Sequence, residues 1–155
     1  MDSFDSFVDY FQSIATDHLG INAFVVGGVT EILALERASL TYPCLWLEYP
    51  SLTPIFQAGR SNEMRYHSAF SILTNAEVND FEEERVILQD NLQIMHDILG
   101  RIYRDWNASK TLRLDPTSIQ IDVLNAQANN NAHGWRMEFA STCMIPICYD
   151  PLKWA

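Results

Sequence analysis

Residues 80–106 read DFEEERVILQDNLQIMHDILGRIYRDW, and the fold is decided there. Phe81, Leu88, Leu92, Met95, Leu99, Ile102 and Trp106 step first by seven, then alternately by four and three. Ile87, Ile94 and Ile98 widen the stripe. This is helical periodicity. At 1.5 Å per residue the segment predicts a helix of about 40 Å. Its apolar stripe is wide enough to lie across a sheet, which places Leu92 and Leu99 in the core beneath that sheet. Asp80 stands where a cap belongs. Glu82, Glu83 and Glu84 fill the first turn and Arg101 and Arg104 the last, each sign complementing the helix dipole.

Downstream, Ile119, Ile121 and Val123 alternate with Gln120 and Asp122. Trp135, Met137, Phe139, Ser141, Cys143 and Ile145 alternate with Arg136, Glu138, Ala140 and Thr142. Period-two alternation predicts two antiparallel strands with one buried face. Asp122 and Glu138 are expected beside Arg136 in a charge-paired ladder. The Asn-rich stretch 124–134 between these strands is longer than a tight hairpin needs.

Upstream, 65–74 predicts a strand with Tyr66, Phe70 and Ile72 on one face and Arg65, His67 and Ser71 on the other. Residues 41–49 predict another, with Pro43 near its start or on an edge. Pro50, Pro54, Gly59 and Asn62 punctuate a long connection over 50–64, a length that is often functional. Phe4, Phe7, Val8, Phe11, Ile14 and Ala15 predict an amphipathic helix over 3–19, capped by Asp2 or Ser3 and ended by Gly20. Residues 21–40 suit a short helix or an irregular strand and break at Gly27-Gly28. The expected order is helix, strand, strand, long helix, strand, strand. It predicts one α+β domain over 1–155, with an antiparallel sheet of about four strands and both helices on one face.

Composition narrows the function. Hydrophobic residues make up 48% and charged residues 19%, which excludes a disordered chain. Twenty acids against ten bases give a net charge of −10, and that field repels a phosphate backbone. No nucleic-acid contact is expected. The loose cationic cluster Arg101, Arg104, Lys110 and Arg113 reads as helix-terminus charge. No apolar run reaches the ~18 residues of a membrane span, and no signal peptide is expected from the opening Met1-Asp-Ser-Phe-Asp-Ser6. Three cysteines, Cys44, Cys143 and Cys148, fit reduced structural thiols better than a disulfide framework.

Chemistry-bearing motifs are sparse. The sequence holds no Gly-x-Ser-x-Gly, no phosphate-cradling glycine pattern and no His-Glu-x-x-His. His18, His67, His96 and His133 fall on four different segments, so no metal cluster is expected. His67 would need Cys44 or Glu48 from a neighbouring strand to build a site. The expectation is a non-enzyme without cofactor, catalytic set or metal. Trp154, in the closing Pro151-Leu-Lys-Trp-Ala155, is expected to dock onto a subunit or back onto the domain.

Four features carry a resemblance: the Phe-rich helix at 4–15, the strand Tyr42-Pro-Cys-Leu-Trp-Leu-Glu48, the helix at 80–106, and Gly134-Trp-Arg-Met-Glu-Phe139. In their order they resemble the tail terminator and tail-completion proteins of long-tailed phages and related contractile particles. The resemblance implies a virion structural protein, made in the bacterial cytoplasm. It further implies a ring-like homo-oligomer, often a hexamer, that joins the tail tube to connector or other tail proteins. Subunit contacts are then expected at the 50–64 loop and the 124–134 tip. The candidates are Pro54, Phe56, Asn129, Asn130, Asn131 and His133, together with Trp154. The alternative is a cytoplasmic, non-enzymatic α+β protein-binding module.

Overall fold

A computed structural model describes residues 3–28, 40–56, 63–77, 80–109, 113–127 and 132–144. The first helix, α1 (Phe4–Asp17), begins where Ser3 and Ser6 cap each other. The Ser6 amide donates to Ser3 Oγ at 3.1 Å, and the Ser3 amide to Ser6 Oγ at 3.1 Å. Four strands follow: β1 (Ala23–Val26), β2 (Cys44–Leu47), β3 (Ser51–Ile55) and β4 (Glu63–Asn75). The long helix α2 (Phe81–Ser109) comes next, then β5 (Arg113–Gln127) and β6 (Ala132–Met144). Asp80 caps α2 as expected, accepting from the Glu83 amide at 2.9 Å.

The strands form one six-stranded sheet in the order β1-β2-β4-β6-β5, with β3 paired to β4. All pairs are antiparallel except β1 with β2. Six strands replace the expected four. One addition is β1, within the stretch that suited helix or strand; positions 29–39 of that stretch lie outside the described residues. The other is β3, inside the expected 50–64 connection. Leu47 pairs with Phe70 and Ser51 with His67. Four steps on one side therefore oppose three on the other, which is a bulge at 48–50. Thus β2 and β3 continue each other along β4.

Both helices cover one face. Phe7, Phe11 and Ile14 of α1 and Ile94, Met95, Ile98 and Ile102 of α2 pack on Leu45, Leu47, Tyr66, Phe70, Ile72, Met137 and Phe139. Aromatic rings meet within this core: Phe7 and Tyr66 centroids stand 5.3 Å apart, and Phe11 and Phe70 5.6 Å. The buried arc of α2 is rotated from the expected one. It runs through Ile87, Asn91, Ile94, Met95, Ile98 and Ile102, while Phe81 is 76% exposed. Leu92 is half-buried, and Leu99 is partly buried at the core margin. The stripe contained more apolar side chains than the sheet contact uses, and the isoleucine side of it faces inward.

The helices are tied to each other by a polar seam. Arg101 donates to Asp17 at 3.1 Å and to Asp105 at 2.6 Å, and the Tyr10 hydroxyl meets Asp105 at 3.4 Å. Burial, then the neighbouring Asp105 charge, raises the Tyr10 hydroxyl above its ordinary value. Burial pulls the Asp105 carboxyl upward, but hydrogen bonds from Arg101 and Arg104 outweigh it and hold Asp105 below its ordinary value. On the opposite sheet face, Val25, Cys44, Trp46 and Leu73 form a smaller apolar cluster. Trp46 Nε1 donates to the Gly27 carbonyl at 2.8 Å there.

Candidate functional site

The face that the helices leave uncovered carries the polar half of the strand alternation. Glu48 follows β2, Arg65 and His67 lie on β4, and Arg136 and Glu138 lie on β6. Together with Ser68 and Ser118 they line an open groove of about 360 Å³. Arg136 is its hub. Its Nε and Nη2 donate to the two Glu48 oxygens at 2.5 and 3.0 Å, and its Nη1 donates to Glu138. The Glu48 hydrogen bonds, followed by that of Glu138, raise the Arg136 guanidinium above its already high ordinary value. Arg65 donates to Asp115 at 2.6 Å. The Thr117 hydroxyl and amide also donate to Asp115, and they lead in holding its carboxyl below the ordinary range.

This arrangement neutralises itself. Each guanidinium already holds a carboxylate, so the groove offers no open cationic clamp for a phosphate or carboxylate ligand. Two serine hydroxyls are committed to the backbone: Ser68 Oγ donates to the Glu48 carbonyl at 3.2 Å, and Ser118 Oγ to the Asp115 carbonyl at 2.7 Å. His67 lines the groove and is exposed. Cys44 pairs with Leu73, six positions along β4 from His67, so these two do not meet. Glu48 does share the groove with His67, but Arg136 takes both its oxygens. A nucleophile oriented by a base is not assembled here. Among the described residues, no group of three or more His, Cys, Asp or Glu could hold a metal ion, and no helix is long and apolar enough to cross a membrane.

The expected contact residues separate. Pro54 sits within β3 opposite Met64 and is exposed. Phe56 follows it and is 70% exposed. Leu52 in β3 and Tyr49 in the bulge before it are both about half exposed, and the Phe4 ring of α1 stands 6.3 Å from that of Tyr49. His133 is not on a projecting tip. It lies in β6, 3% exposed, with Nε2 3.7 Å from Glu84. The tip is shorter than expected because β5 runs on to Gln127 and β6 starts at Ala132. Asn129, Asn130, Asn131 and Trp154 lie outside the described residues, as do the side chains of Cys143 and Cys148.

Sequence reasoning placed Arg136 with Glu138 and Asp122. The first pairing holds. Asp122 is the β5 register partner of Arg136 but accepts from Gln120 at 2.9 Å. The stronger partner, Glu48, stands 88 positions away in sequence. The available signal was an arginine alternating with core residues in a mid-sheet strand, which requires a carboxylate on its own face. Comparison of the chain with models of known families and with curated proteins finds no match.

Proposed function

We propose that this chain is a structural assembly protein of the tail-terminator or tail-completion kind, acting as a ring-forming homo-oligomer that joins a tail tube to neighbouring virion parts. The observation that carries the reading is the exposure of three large apolar side chains, Tyr49, Leu52 and Phe56, in and beside the short strand β3. Large apolar side chains left in solvent close together in the chain are candidates for a protein contact. The self-neutralised groove beside it supports a contact role over a catalytic one. A six-stranded sheet with both helices on one face is compatible with the resemblance drawn from element order.

Light scattering coupled to size-exclusion chromatography, with electron microscopy of the peak, tests the reading. The parent is expected to form a closed ring. Leu52→Glu and Phe56→Glu are expected to fold and to stay monomeric, because within one subunit Leu52 is about half exposed and Phe56 70% exposed. A chain that remains monomeric at high concentration and in the presence of tail-tube protein would favour the alternative, a non-ring protein-binding module.

A further inference from the structure

We infer that the apolar groove between α2 and β5 is a binding site for an aromatic-bearing peptide segment, and that its occupant is this chain's own residues 145–155. The groove has a volume of about 520 Å³ and is lined by Leu99, Tyr103, Trp106, Leu114, Pro116 and Ile119, with His96 at its rim. Tyr103 is 58% exposed, and its ring stands edge-on to Trp106 at 5.9 Å. Leu99 and Ile119 pack only partly on the core. The groove has a local cause. The β5–β6 register shifts between Asp115 and Gln120, and Pro116, which has no N–H for the ladder, falls within that irregularity on the groove wall shared with α2.

The end of β6 selects the occupant. Thr142 pairs with Arg113, next to groove residue Leu114, and the described strand ends at Met144. Three strand residues and one interstrand spacing separate that point from Leu114, on the order of 10–15 Å. Residues 145–155 read Ile-Pro-Ile-Cys-Tyr-Asp-Pro-Leu-Lys-Trp-Ala and span up to about 36 Å when extended. They therefore reach the groove with length to spare. Ile145, Ile147, Leu152 and Trp154 supply apolar side chains, and the indole alone can bury roughly 150–250 Å². Pro146 and Pro151 remove ladder donors, so the segment suits side-chain insertion better than strand addition. A tether this short gives an effective concentration on the order of millimolar, which favours the chain's own segment over that of a second copy.

The test is a cross-link in the full chain, and it is independent of ring formation. A Cβ at Gly100, on the groove wall, meets nothing within 4 Å, so Gly100→Cys is accommodated. Combined with Trp154→Cys, Cys143→Ser and Cys148→Ser, mild oxidation is expected to give an intramolecular disulfide at single-chain mass, unchanged by tenfold dilution. A disulfide-linked dimer would overturn the proposal in favour of a second copy as occupant. Absence of a cross-link in a folded protein would overturn it outright. Hydrogen exchange on chains with unaltered cysteines gives a second reading. Amides of 145–155 are expected to be protected in the parent and to lose that protection in Tyr103→Glu. Equal exchange in both would also overturn the proposal.

Discussion

Asn91, on the buried arc of α2, donates from Nδ2 to the carbonyl of His133 at 3.1 Å. Its Oδ1 accepts from the Thr74 hydroxyl at 3.0 Å. One 1%-exposed amide thus fastens the helix to two adjacent strands, and it fixes the rotation of α2 where the apolar stripe alone left latitude. Asn91→Leu strands a half-buried hydroxyl and a buried carbonyl. It is expected to cost about 1–3 kcal/mol, read as a lower urea midpoint with an unchanged slope.

The buried arc can be checked residue by residue. Ile98→Ala is expected to cost about 2–5 kcal/mol, because Ile98 is fully buried and the cavity is lined by other core side chains. Phe81→Ala is expected within about 0.5 kcal/mol of the parent. Thermal unfolding of the two variants reads the difference, since 1 kcal/mol moves the midpoint by roughly 2–4 °C in a chain of this size. Equal effects would place the arc wrongly.

Gly134 admits no side chain. A Cβ there would stand 1.8 Å from the Ile72 carbonyl oxygen, and that obstacle is backbone in the centre of the sheet. Gly134→Ala must push β6 from β4 or distort both. A loss of about 1–3 kcal/mol or more is expected, together with faster amide exchange at the β4–β6 pairs nearest Leu73.

The seam between the helices carries a pH signature. The Asp105 carboxyl lies below its ordinary value of 3.8 in the folded chain. Its contribution is therefore fully present above that value and is lost as pH falls through the lower folded value. The stability gap between the parent and Asp105→Asn is expected to be largest near neutral pH and to shrink below about pH 4. Urea titrations at pH 7 and pH 3 measure it, and a gap that widened in acid would contradict the assignment.

Much of this architecture was legible in the sequence, and the failures share a cause. Long periodic segments read well: α1, α2 and the alternation through Trp135–Phe139 reflect burial that recurs at a fixed spacing. Short strands did not. β1 has four residues, and β3 contains Pro54, which reads as a break unless the strand is known to lie on an edge. The rotation of α2 was missed because leucines and isoleucines occupy adjoining arcs, and only the buried Asn91 separates them. The Glu48–Arg136 pair was invisible because strand order, not sequence spacing, brings the two together. Of the candidate contact residues, Pro54 and Phe56 are on the surface, whereas His133 is held inside β6 by a hairpin longer than its Asn-rich sequence implied.

Pro54 has one more consequence. On an edge strand a proline is tolerated where its missing N–H would have faced outward. Among the described residues β3 has no strand on its other side, and that side therefore lacks a donor at the fourth of its five positions. An incoming strand could not zip along it without leaving an acceptor unmet, which disfavours edge-to-edge stacking of copies there. A partner docking on Leu52 and Phe56, as proposed, would then make contact through side chains in preference to strand addition. The proline thus guards against amyloid-like growth beside the exposed Leu52 and Phe56. Replacing Pro54 with valine would restore the donor and remove that protection.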